Sequence, residues 1–131
     1  MGEQEYRLDV WKRVIDSMNF AQPDVHYIGG FSRILQVAEL TRQKGIYFVP
    51  HSPNPSYIDV FVLHLMASLP NAYDYMEFDA IDESPPTGLH LFTEAVFKLN
   101  HGAIKVPQDP GWGVSLRPGL LTTALNQTSC F

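Results

Sequence analysis

The stretch Gly45-Ile46-Tyr47-Phe48-Val49-Pro50-His51 decides how the rest of this chain is read. Its centre is apolar without interruption, with a glycine before it and a proline after it. That is the pattern of a strand buried on both faces of a parallel sheet. His51 then lies just past the strand's carboxyl end, where barrels and open α/β sheets carry out their chemistry. On the amino-terminal side, Ser32 to Lys44 places Ile34, Val37 and Ala38 on one face and stops at Gly45, which predicts a helix. Gly29-Gly30 ahead of it allows a tight turn. Phe20-Ala21-Gln22-Pro23 is too short for a helix and reads as a second strand, ending at Asp24. Earlier still, Leu8, Trp11, Ile15 and Met18 recur at steps of three and four, so a helix with one buried stripe is expected between Glu5 and Met18.

On the carboxyl side, the prolines of His51-Ser52-Pro53-Asn54-Pro55 deny the backbone helical geometry and predict a loop. Ser56 can cap a helix running to Leu69, with Ile58, Phe61, Val62 and Leu65 inside, and Pro70-Asn71 ends it. Tyr73 to Phe78 predicts the next strand, carrying its charge at Glu77, and Asp82 to Thr87 a loop. Beyond Leu89 the pattern changes. Ala95 to Leu99 and Ala103 to Val106 flank Asn100-His101-Gly102, an antiparallel hairpin with positive-φ chemistry at its turn. Residues 1–94 thus form one α/β unit and 95–118 a hairpin and closing segment. Residues 119–131, with few charges and no clear period, form a loosely held tail.

Asp24 to His51 is 27 positions and His51 to Glu77 is 26, about what one strand, one helix and two loops consume. In a parallel sheet of such units, residues at successive strand ends converge on one rim. Alternation of strand and helix predicts an α/β fold with right-handed crossovers. A closed (β/α)₈ barrel takes about 250 residues, so a barrel reading leaves room here for only its last three to four βα units.

Composition narrows the classes. The 131 residues are 45% apolar and carry a net charge of −5, with basic residues dispersed. This gives no footprint for nucleic acid or for an anionic membrane surface. No stretch approaches the ~20 apolar residues that span a bilayer, and Met-Gly-Glu-Gln-Glu does not open like a signal peptide, so a soluble cytoplasmic protein is expected. Cys130 is the single cysteine, which excludes an intrachain disulfide.

Gly2-Glu3, Gln22-Pro23-Asp24, Gly29-Gly30, Pro50-His51, His64-Leu65 with Pro70-Asn71, Glu77, and Val106-Pro107 with Pro110-Gly111-Trp112-Gly113-Val114 occur in a telling order. Together they resemble the carboxyl-terminal half of the enolase superfamily, in its mandelate racemase and muconate lactonizing enzyme-like branch. The resemblance runs to about Leu116. It implies a modified TIM barrel that holds Mg²⁺ on carboxylates at the ends of its third, fourth and fifth strands and removes a proton next to a substrate carboxylate. By this resemblance Glu3 matches the fifth-strand metal ligand, and Asp24, His51 and Glu77 end the sixth, seventh and eighth strands. The family pairs the sixth- and seventh-strand residues as a His–Asp dyad. Its eighth-strand carboxylate assists the substrate, and His26, two positions past Asp24, lies within reach of the barrel mouth.

The chemistry agrees with these roles. An α-proton of a carboxylate is very weakly acidic, so the developing enediolate needs a cation, and Mg²⁺ prefers hard oxygens such as Glu3 offers. A histidine, with an ordinary pKa near ~6.5, takes or gives a proton at neutral pH, and a carboxylate on its other nitrogen fixes the tautomer. The resemblance therefore implies a Mg²⁺-dependent sugar acid dehydratase, homo-oligomeric at full length, with a racemase or cycloisomerase as the neighbouring reading. The other metal carboxylates, the family's second-strand lysine and its capping domain have no counterpart in the 131 residues. The chain alone is accordingly expected to be a fragment without activity, or an interaction module.

Each residue also has an ordinary explanation. Asp24 suits a turn or a helix cap, His51 a solvated loop, Glu77 a surface ion pair and Glu3 the positive end of a helix. His64 reads as a packed helical residue, His90 and His101 as loop and turn residues, and Trp112 as a packing anchor.

Overall fold

The computed structural model describes residues 1–52, 56–78, 91–93 and 97–123. The helix expected from Glu5 is shorter, α1 (Leu8–Val14), followed by a 3₁₀ turn over Ile15–Ser17. Its start is delayed because the Glu5 carboxylate accepts from the Arg7 amide and the Glu5 carbonyl accepts from the Trp11 indole N–H at 3.0 Å. Trp11 and Ile15 are fully buried, as the stripe predicts. Gly2 lies flat on the Trp11 ring with φ +101°, where a Cβ would meet the indole at 2.3 Å, so only glycine fits.

β1 (Phe20–Ala21) and β2 (Tyr47–Phe48) pair in parallel, Phe20 opposite Tyr47 and Ala21 opposite Phe48. Hydrogen bonds carry the pairing further on both sides: Tyr47 N–H to Asn19 O (3.1 Å), Val49 N–H to Ala21 O (2.9 Å) and His51 N–H to Pro23 O (3.0 Å). Pro23 has no N–H to return, so the regular ladder ends early. Between the strands lie a short α2 (Val25–Ile28), which the sequence reading did not predict, and α3 (Phe31–Lys44). Ile34, Val37, Ala38 and Thr41 form the buried stripe of α3, and Gly45 closes it at φ +67°.

α4 (Tyr57–Ser68) begins with a capping box in which the Ser56 side chain and the Asp59 side chain each hold the other's backbone end. Val62 and Leu65 of α4 join the core formed by Trp11, Ile15, Ile34, Val37 and Phe48, whereas Val60 packs with Phe92 in a second cluster. Phe61, expected inside, is half-buried and packs on Trp112 with ring centres 4.8 Å apart.

The strand expected over 73–78 is reduced to a single parallel bridge between Phe48 and Ala72, with Phe48 N–H to Asn71 O and Tyr73 N–H to Phe48 O at 3.0 and 3.1 Å. The next donor in that ladder falls on Pro50, which has none. Nor is β2 buried on both faces. Phe48 is fully buried, but Tyr47 is 51% and Phe20 40% exposed, and with Tyr73 they make an open aromatic face with ring centres 5.0 to 5.5 Å apart.

Beyond this unit, β3 (Leu99–Asn100) and β4 (Ala103–Ile104) form the expected antiparallel hairpin, turning at His101 (φ 49°) and Gly102 (φ 78°). Phe92 bridges Leu116, and Trp112 packs against Phe31, Phe61 and His64 as an anchor. The start of the tail is a short α5 (Leu120–Thr123). The described architecture is therefore α/β with two small sheets. Among the described residues no helix is long and apolar enough to cross a membrane. The loops placed at 53–55 and 82–87, His90, the hairpin's Ala95 and Val96, and the tail residues 124–131 with Cys130 lie outside the described residues.

Candidate active site

The parallel hydrogen bonds set the rim. Because His51 N–H reaches the carbonyl of Pro23, the residue after Pro23 and the residue after Pro50 stand side by side at neighbouring strand ends. The amino-terminal segment joins the same layer through Gln22 N–H to Met1 O at 3.0 Å. A cavity of about 220 Å³ opens there, lined by Asp24, His26, His51, Ser52 and Ser56, with Val62 among its apolar walls.

His51 Nδ1 lies 2.8 Å from Glu77 Oε2, and the same oxygen accepts the Ser52 amide at 3.0 Å. A carboxylate oxygen accepts, so Nδ1 carries the hydrogen and Nε2 is left as the basic atom of the ring. The spacing argument thus brings His51 and Glu77 together across 26 positions.

Asp24 is engaged elsewhere. Its Oδ1 accepts the amides of His26 (2.6 Å) and Tyr27 (3.1 Å), which caps α2, and stands 3.5 Å from His26 Nδ1. This is the N-cap geometry that Asp favours, and it is the ordinary reading of the residue. Asp24 and His51 share the cavity wall, but the carboxylate seated on His51 Nδ1 is that of Glu77. His26 stands at the cavity with an exposed ring.

Glu3 is partly exposed, and its carboxyl is held below the usual range chiefly by its own backbone amide, with smaller contributions from the chain's amino group and from His51. The His51 contribution puts Glu3 within electrostatic reach of the same rim. Among the described residues no three His, Cys, Asp or Glu side chains gather into a group able to hold a metal ion. Glu3 by itself offers one hard oxygen group, and the described residues do not build a magnesium site.

Two polar residues were missed by the sequence reading. Ser52 and Asp59 are both buried, and Ser52 Oγ and Asp59 Oδ1 have no hydrogen-bond partner among the described residues. Asp59 Oδ2 accepts the Ser56 amide at 2.8 Å. Burial, opposed by that hydrogen bond and reinforced by the charges of Asp24 and Glu77, pushes the Asp59 carboxyl up to about 7. The Ser56-x-x-Asp59 spacing was the available signal, since it is a capping box in outline.

With that geometry in place, comparison with known proteins is informative. Residues 1–120 match the family described as enolase C-terminal domain-like. A D-galactonate dehydratase from Ralstonia nicotianae is 25% identical over 92% of this chain and 32% of its own length. A 3,6-anhydro-alpha-L-galactonate cycloisomerase from Streptomyces coelicolor is 28% identical over 76% of this chain and 24% of its own. The chain thus spans a third or less of the length of these relatives. A solved structure from Roseobacter denitrificans, of a protein to which a racemase activity is attributed, superposes with a TM-score of 0.82. It is 34% identical and covers 98% of this chain and 36% of that one. A match to residues 1–120, nearly the whole chain, makes this protein a member of the enolase C-terminal domain-like family.

Proposed function

We propose that this chain supplies the carboxyl-terminal rim of a barrel enzyme that removes the proton α to a carboxylate, and that its reaction is dehydration of a sugar acid. The observation that carries the reading is the 2.8 Å pair of His51 Nδ1 and Glu77 at a cavity on the strand ends. His51 is the acid–base group. With Nδ1–H held by a carboxylate, Nε2 accepts the α-proton, and the resulting imidazolium, stabilised by that carboxylate, returns a proton to the departing β-hydroxyl. The strand layer running from Met1 through β1 and β2 to Ala72, with Phe20 and Tyr47 uncovered, suits part of a (β/α)₈ barrel whose interior is filled from elsewhere. Glu3 contributes one carboxylate to a Mg²⁺ site completed by residues outside the chain. His26 and the rim carboxylates meet the hydroxyls and carboxylate of the substrate.

Two carboxylates compete to orient the imidazole. Glu77 does so in the described arrangement, and the Asp24–His51 dyad forms if Asp24 exchanges the α2 amides for the ring. The dehydratase names among the relatives favour elimination, and the cycloisomerase and racemase names favour proton transfer alone. The deciding assay takes the protein with the rest of its barrel and Mg²⁺ and offers a panel of sugar acids. A 2-keto-3-deoxy product is expected, lost by orders of magnitude in His51→Asn. Exchange of the α-proton with D₂O without elimination makes it a racemase or cycloisomerase, and full turnover by His51→Asn removes His51 from the reaction.

A further inference from the structure

The polar side chains around the rim cavity fall into two kinds. Asp24 accepts the amides of His26 and Tyr27 at 2.6 and 3.1 Å, and His51 Nδ1 donates to Glu77 at 2.8 Å. Ser56 Oγ accepts the Ile58 amide at 3.3 Å in the cap of α4. Each of these groups holds a helix end or orients a neighbour. Ser52 differs from them. It is 4% exposed and lines the same cavity as Asp24, His26 and His51, yet its Oγ has no hydrogen-bond partner among the described residues.

The backbone at this position is pinned. The Ser52 amide donates to Glu77 Oε2 at 3.0 Å, the oxygen that also meets the His51 ring, and the His51 amide is tied to the Pro23 carbonyl at 3.0 Å. Only the torsion χ1 is left to set where the hydroxyl points. A hydroxyl has one hydrogen to donate and two lone pairs, and burying it unpaired is costly. A residue so enclosed meets its packed neighbours and the cavity it lines. The described neighbours offer no bond, which leaves whatever occupies the cavity.

We propose that Ser52 is a substrate-binding residue whose hydroxyl pairs with one hydroxyl of the bound sugar acid and selects for acids that carry it. The inference rests on the reading of this cavity as the substrate's seat. At about 220 Å³ the cavity is smaller than those that take drug-sized ligands and suits a small polyhydroxylated molecule. Asp24 lines it, and Glu77 stands against the Ser52 amide. These carboxylates repel the ligand's own carboxylate, so the neutral, hydroxylated part of the molecule is the part that faces Ser52. A hydroxyl that both donates and accepts matches such a group. An acid lacking it leaves Ser52 Oγ buried and unpaired, which is how a polar site rejects an analogue that a purely apolar pocket would admit.

Two measurements test this. In thermal unfolding of the 131-residue chain without ligand, Ser52→Ala should melt no lower than wild type because no bond is lost, whereas Ser56→Ala should melt lower. A lower melting point for Ser52→Ala overturns the proposal, since its hydroxyl then serves the fold through a buried water. Calorimetric titration of the protein with the rest of its barrel and Mg²⁺ then takes five- and six-carbon aldonates and their singly deoxygenated analogues. Ser52→Ala should bind the preferred aldonate about tenfold more weakly than wild type does. One deoxy analogue should bind wild type and Ser52→Ala equally, because the partner of the lost hydroxyl is missing in both. Equal affinity of wild type and Ser52→Ala for the parent acid overturns the proposal, as does a Ser52→Ala variant that still prefers the parent to every analogue as strongly as wild type. Binding that depends on Ser52 without a 2-keto-3-deoxy product keeps Ser52 in its role and removes the dehydratase reading. Binding of no aldonate removes both.

Discussion

The two faces of the parallel sheet differ in every respect that decides stability. One face, with Ala21 and Phe48, is covered by helices, and Phe48 is fully buried. The other carries Phe20 and Tyr47 at 40% and 51% exposure, stacked on each other and both meeting Tyr73 edge-on. The same two strands thus have a finished side and an unfinished one. The finished side holds the fold. The open side presents neighbouring exposed aromatic rings, the kind of apolar patch that marks a face suited to being covered.

The largest effect expected from this contrast is a pair of substitutions at adjacent positions. Phe48→Ala should lower the unfolding free energy by about 3–5 kcal/mol, and Tyr47→Ala by less than about 1 kcal/mol, measured by chemical denaturation. Equal losses would abolish the distinction between the faces. Next comes a pH dependence seated at the start of α4. The Asp59 carboxyl is raised from 3.8 to about 7 in the folded chain, so the folded state binds more protons between those values. Its contribution to stability is full below pH 3.8, declines as pH rises, and is gone above about 7, a loss of roughly 4 kcal/mol. Asp59→Asn should flatten that decline in thermal unfolding followed across the range, and an unaltered slope would place its source elsewhere. Ser56→Ala removes the hydroxyl that accepts the Ile58 amide and should cost about 1 kcal/mol. The smallest change belongs to the solvent side of α3. Glu39 is held at about 2 by its hydrogen bonds to Arg42 and Gln43, yet the pair is exposed and screened by solvent, so Glu39→Gln should leave the denaturation midpoint nearly unchanged. A larger loss would show that surface charge and not the covered face sustains the helix.

Much of this arrangement was legible in the chain. The apolar run before Pro50 gave β2, the stripe of Ile34, Val37 and Ala38 gave α3, and Asn100-His101-Gly102 gave the hairpin turn, because each rests on local periodicity or a local φ requirement. Equal spacing brought His51 to Glu77 for the same reason, since strand order fixes which ends meet. What escaped reading depends on neighbours. A continuous apolar run cannot report that one of its faces is open, and so Tyr47 was expected to be buried. The loss of a strand after Ala72 follows from Pro50 lying across from it, which no single segment reveals. Asp24 shows the same limit within the site, because a carboxylate ahead of four helical residues serves the cap of α2 as readily as a neighbouring imidazole. Asp59 was invisible as a titrating group because its unusual state comes from burial beside Asp24 and Glu77, distant in sequence.

The two tryptophans of the chain sit in opposite surroundings, and that gives the molecule a built-in optical readout. Trp11 is wholly buried, with its indole N–H on the Glu5 carbonyl and its ring under Gly2. Trp112 is 44% exposed, packed edge-on to His64, whose Nε2 is 2.9 Å from the Trp112 carbonyl. Fluorescence from Trp11 therefore reports the integrity of the amino-terminal segment that carries Glu3, at shorter wavelength. Fluorescence from Trp112, open to solvent and to quenching by the imidazole, reports whether the closing segment is seated on α4. Unfolding watched in both emission bands would tell whether the closing segment lets go before the sheet does.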